Sequence, residues 1–475
     1  MTKLNRLILV ALFACLAVAT AASTHARQPN VVVILTDNQG AWTLRCYGNP
    51  DIKTPNIDRL AREGMLFDNC FSSNAVCSPT RATLLTGLIP SQHGVHSYLT
   101  AGGVQIGPQA YSTIGEFRTL PKILSEAGYV CGLSGKWHLG DNLKPQEGFT
   151  SWVTMPHGHT QTFYNADVIE DGKVRKEPEY LTDFWTDHGV KFIHENKDKP
   201  FFLYLAYNGP YGLGASMLSP ARNRHAADYA ENPMRSFPRE KINPWLRGEK
   251  QLLNNVEAMR RYAAEISGVD DGVGRIMEAL KANGVDDNTL VVFTADQGLA
   301  GGQNGFWGMG DHTRPLTAFD WTTHVPLIYR YPGHIEAGKR SGLLVSNYDF
   351  LPTVLDLVGL RDKTPQKPPL VGHSYAGALT GKPISWNDTV FFEFENTRSI
   401  RTLSWKYISR FPKGPNELYD LRHDPEERHN LVDQPAHADQ QQLLRTQLDK
   451  FFATYADPQY DLSRGGRSKA ARRVR

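Results

Sequence analysis

Apolar runs that end in polar, glycine-bearing turns constrain the fold of this chain more than any other feature. Val31-Val32-Val33-Ile34-Leu35 runs into Thr36-Asp37-Asn38-Gln39-Gly40. Phe201 to Tyr207 runs into Asn208-Gly209-Pro210, and Leu290-Val291-Val292-Phe293 into Thr294-Ala295-Asp296-Gln297-Gly298. Unbroken runs of this length suit strands buried on both faces, as in a parallel sheet. Between them, Val256, Met259, Ala263, Ile266 and Val269 recur at helical spacing, and the pattern continues to Leu280 before Gly284. Thr119 to Ala127 reads as a shorter helix stopped by Gly128. Strand alternating with helix predicts a three-layer α/β domain. Sites in such sheets gather beyond the carboxyl ends of strands, where both aspartate-bearing turns sit.

After about residue 385 the texture changes. Val390 to Phe394, Ser399 to Leu403, Lys406 to Arg410 and Glu417 to Leu421 are short and closely spaced, which predicts an antiparallel sheet. A helix over about 438–453 follows. The expected organisation is a catalytic domain over 27–385, a smaller α+β subdomain over 386–463, and a basic, solvated tail over 464–475. The stretch from Gly212 to Arg247 reads as a long surface excursion near the site.

Charge and cysteine usage narrow the class. Lys3 and Arg6 precede an apolar run from Leu7 to Ala22, followed by small residues, and 1–26 reads as a secretory signal peptide. Without it, 50 basic residues face 49 acidic ones; the tail holds six of the basic residues, so the body carries 44 against 49. No nucleic-acid motif accompanies the basic tail, and no later stretch is long and apolar enough to span a bilayer. The expectation is a soluble exported enzyme, periplasmic or secreted, without stable membrane insertion. Cys46, Cys70, Cys77 and Cys131 do not have the spacing of a zinc site or a dense disulfide framework.

The chemistry concentrates in Ala75-Val-Cys77-Ser-Pro79-Thr-Arg81-Ala-Thr-Leu-Leu-Thr-Gly87. Pro79 suits the first turn of a helix, Leu84 and Leu85 can face the core, and Gly87 can stop it. Cys77 then lies at the helix N-terminus, where the dipole favours negative charge, with Arg81 one turn later. This run resembles the first motif of the formylglycine-dependent sulfatases. The resemblance implies that a maturation enzyme oxidises Cys77 to formylglycine, hydrated at rest. One hydroxyl attacks sulfur and the alcohol leaves; the other then loses a proton, expels sulfate and restores the aldehyde. The second sulfatase motif is matched by Gly128-Tyr129-Val-Cys131-Gly-Leu-Ser-Gly135-Lys136-Trp137-His138, with Cys131 where the family has Ser or Thr. By position, Lys136 stabilises charge on sulfate and His138 moves the hemiacetal proton.

The turns at Asp37-Asn38 and Asp296-Gln297 offer oxygen donors suited to a hard divalent cation, calcium in preference to magnesium. An oxygen of modified Cys77 would complete the set. The family pattern has paired aspartates first and an Asp with Asn or His later, so Asn38 and Gln297 are departures that reduce the negative charge. Phe201 to Asn208, Val325-Pro326-Leu327-Ile328, Pro352-Thr353-Val354-Leu355 and Glu417-Leu418-Tyr419-Asp420-Leu421 also match family stretches. The implied fold is the alkaline-phosphatase-like sandwich: a large mixed, mostly parallel sheet plus a small C-terminal antiparallel sheet packed with a helix.

Other positions break the pattern. Tyr211 stands where the family has His, and Asn304 and Met309 stand where it has His and Lys. His312 could supply the acid for the leaving oxygen, and Arg314 could clamp sulfate through paired N–H groups; Tyr211 could bind substrate or line the pocket. The leading expectation is hydrolysis of a sulfate ester, a carbohydrate sulfate at least as readily as an aryl sulfate. Two alternatives stay open: a phosphonate or phosphodiester hydrolase on the same scaffold, and a non-catalytic relative that binds sulfated glycan.

Overall fold

A computed structural model describes residues 28–100 and 103–470. The expected signal peptide, 1–26, and the last five residues of the tail lie outside the described residues. Eight strands form the central sheet: β1 (Asn30–Asp37), β2 (Met65–Phe71), β3 (Val130–Gly135), β4 (Phe149–Val153), β5 (Phe201–Pro210), β6 (Thr289–Ala295), β7 (Leu327–Arg330) and β8 (Lys339–Ser346). Their spatial order is β8-β2-β7-β6-β1-β5-β3-β4. Every pairing is parallel except those of β7, which runs antiparallel to β6 and β2.

The three apolar runs are therefore the three central strands. β1 lies between β5 and β6, with Val33 opposite both Tyr204 and Val292. This sets the two aspartate turns side by side: Asp296 donates its N–H to the Thr36 carbonyl at 3.0 Å.

Alternate strand residues point to opposite faces, and each face meets a helical layer. The longer helices are α1 (Pro55–Glu63), α2 (Cys77–Thr86), α3 (Leu120–Glu126), α4 (Leu181–Asn196), α5 (Val256–Ala282), α6 (Phe350–Leu357) and α7 (Ala438–Tyr455). Val32, Ile34, Leu203 and Leu205 pack in one core with Ile193 of α4 and Ile266 and Val273 of α5. Val31, Val33, Leu35 and Phe202 pack in the other with Leu84 and Leu85 of α2, Leu124 of α3 and Val354 of α6. Asn255 caps α5, its side chain accepting from the N–H groups of Glu257 and Ala258. Among the described residues no helix is long and apolar enough to cross a membrane.

A second sheet, β9 (Thr389–Phe394), β10 (Thr397–Thr402), β11 (Trp405–Arg410) and β12 (Glu417–Asp420), is antiparallel throughout. Leu444 and Leu448 of α7 pack on Ile400, Tyr407 and Leu418. This small sheet braces the approach to α2. Glu393 of β9 donates its N–H to the Ser73 carbonyl at 2.9 Å, and its Oε2 accepts from the Ser91 N–H at 2.7 Å.

Two expectations need refinement. The stretch 212–247 runs largely over the surface near the cavity, but it is anchored: Met217, Tyr229, Met234, Phe237 and Leu246 are buried in the core that includes α5. Apolar residues spaced among Pro, Asn and Arg carried that signal. The described part of the tail, 464–470, contains no buried residue, but it is tied down near its end. Lys469 donates its N–H to the Gly94 carbonyl and its Nζ to the Thr113 carbonyl, both at 2.8 Å, and pairs with Glu116. Burial of the lysine stem together with these polar contacts docks this point of the tail.

Candidate active site

Cys77 opens α2, preceded by extended Val76, and Gly87 closes the helix in the left-handed conformation with its N–H on the Thr83 carbonyl. The β6 end delivers Asp296 and Gln297, the β1 end Asp37 and Asn38, and the segment after β3 Lys136 and His138. Asn38, His138 and Tyr211 all hold positive φ, at 58°, 60° and 63°. Non-glycine residues in that region are uncommon and gather where surroundings over-determine the backbone.

Two buried ion pairs hold the floor. Arg81 donates from Nε and Nη2 to Asp296 Oδ2 at 3.0 and 2.8 Å, and from Nη1 to the Lys136 carbonyl at 2.6 Å. Lys136 Nζ donates to Asp37 Oδ2 at 2.6 Å. All four side chains are fully buried. Burial is the largest influence on Lys136 and works against its charge, but Asp37, Cys77 and Asp296 together outweigh it and the ammonium is held above its ordinary range. The two pairs are neutral in sum.

The Cys77 Sγ donates to Asp37 Oδ1 at 3.3 Å and receives Gln297 Nε2 at 3.1 Å. Burial, then the charge of Asp37, push this thiol well up, against Lys136 and Arg81. The helix N-terminus does not make a thiolate here, because desolvation is the larger effect. An unmodified Cys77 is thus a poor nucleophile.

The donor set fits a cation. Ligand atoms of Asp37, Cys77 and Asp296 lie within 4.8 Å of one another, all buried. Gln297 Nε2 sits among acceptors, facing Asn38 Oδ1, Cys77 Sγ and, at 3.5 Å, Asp37 Oδ1. Its Oε1 is buried without a donor. As it stands, the amide nitrogen donates to these acceptors; with a cation among them, rotation of the amide would exchange its two ends and add an oxygen to the set.

Not every expected residue joins this cluster. Tyr211 does: its carbonyl accepts from Asn38 Nδ2 at 2.8 Å, and its ring lies 5.7 Å from Lys136 Nζ. Met309 also does, with Sδ 3.4 Å from Gln297 Nε2. His138 makes no hydrogen bond to the cluster among the described residues. Its Nε2 donates to the Leu99 carbonyl at 2.9 Å, which leaves Nδ1 a buried acceptor with no partner. Burial, then Lys136, keep the ring neutral. A Cβ on Gly158 would lie 2.1 Å from that Nδ1 and from Cε1, so only glycine lets the backbone pack this closely against the ring. Asn304 turns away, donating to the Glu426 carbonyl at 2.8 Å.

A cavity of about 420 Å³ opens over Tyr211 and Met309, and His312 and Arg314 line it as expected. The Nδ1 of His312 accepts from the Met309 N–H at 3.1 Å, so Nε2 is the ring's donor. That contact leaves Nε2 as the ring nitrogen that can meet a leaving oxygen. His159, Asp311 and Arg247 also line the cavity and were missed in the sequence. The pair of histidines around Gly158 was the one available signal.

A sulfatase family model matches residues 29–360, and a model of the N-sulphoglucosamine sulphohydrolase C-terminal region matches 314–454. The chain belongs to the sulfatase family. It is a sulfuric ester hydrolase by that membership. An N-acetylglucosamine-6-O-sulfatase of Bacteroides thetaiotaomicron is 28% identical over 96% of this chain and 92% of that protein. Human N-acetylgalactosamine-6-sulfatase is 32% identical over 71% of this chain and 64% of its own. A solved structure in complex with its substrate D-glucosamine-2-N,6-O-disulfate superposes with a TM-score of 0.71 at 26% identity, covering 90% of this chain and 98% of that one.

Proposed function

We propose that this sulfatase is exported and hydrolyses a carbohydrate sulfate to alcohol and inorganic sulfate, using formylglycine made from Cys77 by a maturation enzyme, with calcium held by Asp37, Asn38, Asp296, Gln297 and residue 77. The observation that carries the reading is the convergence of Cys77, two neutralised carboxylates and the Gln297 amide at the carboxyl ends of two adjacent central strands. The carbohydrate preference rests on the substrates named for the relatives and on a polar cavity large enough for a sugar ring. Export rests on residues 1–26.

When present, the modified residue supplies the oxygen nucleophile and the cation a positive centre for sulfate oxygens. The protein's own side chains do the rest. Lys136 and Arg81 cancel the charges of Asp37 and Asp296, so a bound divalent ion would leave the floor net positive and matched to an anionic ester. Lys136, fixed by Asp37 beneath the Tyr211 ring, stabilises charge on sulfate. His138, with Nε2 committed to Leu99, has Nδ1 as the acceptor for a hydroxyl proton when sulfate is expelled. Tyr211 and Met309 cover the floor and exclude water. His312 Nε2 and Arg314 face the alcohol half from the cavity wall.

The test couples maturation to turnover. Protein made in a host competent for the oxidation should carry formylglycine at 77 by peptide mass, and should release sulfate from at least one member of a panel of sulfated hexoses, hexosamines and uronates. Cys77→Ala should abolish that release. Undiminished cleavage by Cys77→Ala, or inertness of the modified protein toward the whole panel, would refute the reading.

A further inference from the structure

The cavity wall contains a carboxylate that the sulfate-handling floor does not use. The Asp311 side chain is only 7% exposed, and its Oδ1 is buried without any hydrogen-bond donor. A buried acceptor left unmade is costly, so the surroundings should supply a donor; they do not. The nearest candidate, His312 Nδ1, stands 3.6 Å away and is itself an acceptor for the Met309 N–H. It presents a lone pair to the carboxylate, not a proton. Arg314 is also near, but its Nη1 donates to the carbonyls of Asp311 and Thr313, at 2.9 and 2.6 Å. Among the described residues no arginine or lysine forms an ion pair with Asp311.

The charge of Asp311 acts across the cavity. Burial, Lys136 and His157 hold His159 down at about 4, and Asp311 is the group that opposes them. It also adds to burial, Asp37 and Cys77 in raising the Tyr211 hydroxyl. The carboxylate lines the same cavity as these two side chains, His159 and Tyr211. Rings and acceptor together describe a subsite for a polar ring rather than for a second sulfate, which the carboxylate would repel.

We propose that Asp311 is the specificity-determining acceptor for an O–H or N–H donor on the alcohol half of the substrate. The inference rests on the sulfatase reading and deepens it. A sugar ring carries hydroxyl or amide donors beside the esterified carbon; a nitrophenol does not. Asp311 thus favours carbohydrate sulfates over aryl sulfates by completing a hydrogen bond that only the former can make.

The experiment compares matured wild type, Asp311→Ala and Asp311→Asn on two esters: the carbohydrate sulfate of the panel cleaved fastest, and 4-nitrophenyl sulfate. Asp311→Ala should lower kcat/KM for the sugar ester about 10- to 100-fold more than for the aryl ester, mostly through KM. Asp311→Asn keeps an acceptor oxygen and should recover part of the loss. Inhibition by the desulfated sugar gives a second readout that needs no aryl turnover: its inhibition constant should rise by a similar factor. Equal proportional losses on both esters, or an unchanged inhibition constant, overturn the inference and leave the sulfatase reading standing. A modified wild type that cleaves no carbohydrate sulfate overturns the reading, and the inference with it. Should the alanine variant not fold, Asp311→Asn carries the comparison alone, with a differential of about 3- to 10-fold expected.

Discussion

Arg81→Met tests whether the floor is held by charge pairing or by packing. Arg81 is wholly buried, and Asp296 is wholly buried beneath it. Methionine fills much of the same volume, so the main loss is electrostatic. It removes two N–H contacts to Asp296 Oδ2 and one to the Lys136 carbonyl. Asp296 Oδ1 keeps the N–H groups of Asn38 and Gln297, at 3.1 and 2.9 Å, but its charge is stranded. Breaking a buried pair from one side costs about 3–5 kcal/mol. In a chain of this length that lowers Tm by roughly 3–5 °C. Adding Asp296→Asn removes the stranded charge, while the amide oxygen can still accept both N–H groups. The double variant should therefore regain about 1–3 kcal/mol over the single one. The assay is thermal and urea unfolding followed by near-UV circular dichroism, in chelator, so that cation binding does not mask the pair. A single variant within about one degree of wild type, or a double variant that simply adds the two losses, would refute the reasoning.

Chelation should lower turnover at least about tenfold and lower Tm, with calcium restoring both by mass action; an active, metal-free protein indifferent to chelator would remove the cation from the scheme. Glu265, buried on α5 with Tyr180 and Asn223 on its two oxygens, has its carboxyl pushed up to about 8 by burial. A raised folded pKa means that its contribution is whole below the unfolded value of 4.5 and is lost as pH rises through about 8. Glu265→Gln should thus gain on wild type by a few kcal/mol between about pH 5 and 8, and parallel urea curves across that range would deny it. In chelated protein, Asn38→Asp and Met309→Lys should each cost about 2–4 kcal/mol as lone buried charges, and the pair should cost less than their sum; additive losses in the double-mutant cycle would show that the two positions do not sense each other.

Most of the sandwich was legible because period and punctuation agreed. The Val31–Leu35, Phe201–Tyr207 and Leu290–Phe293 runs became the three central strands, and the predicted helix near 256–280 became Val256–Ala282. The four short C-terminal strands fell within a few residues of their expected bounds. The floor was legible because motif residues sit directly on strand ends and on the first turn of α2. The cavity wall was not. His159, Arg247 and Asp311 come from irregular segments where no periodicity fixes direction, and their approach is set by long-range contacts such as the Arg314 N–H on the Trp245 carbonyl at 2.8 Å. The same lack of periodicity hid the burial of Tyr229 and Phe237. His138 and Asn304 could be placed in sequence but not aimed, and the structure points one at Leu99 and the other at Glu426.

Four of the departures from the family pattern, Asn38, Tyr211, Gln297 and Met309, are not scattered substitutions, because they touch one another. Asn38 donates to the Tyr211 carbonyl, Gln297 donates to Asn38 Oδ1, and the same amide nitrogen reaches Met309 Sδ. Relative to the pattern, Asn38 removes one negative charge and Met309 one positive charge. Either change alone would leave the buried floor with an unmatched unit charge, at a cost of several kcal/mol. Together they leave its formal balance as it was, with Lys136 on Asp37 and Arg81 on Asp296. Gln297 makes the exchange geometrically possible. Its side chain spans from Asn38 to Met309, so one amide fills the gap between the position that lost a carboxylate and the position that lost an ammonium. A site altered this way keeps the machinery for an oxygen nucleophile at residue 77 while giving up one cationic contact to the ester. Recognition must then lean more on the alcohol half, and the wall that meets it carries Asp311, His312 and Arg314.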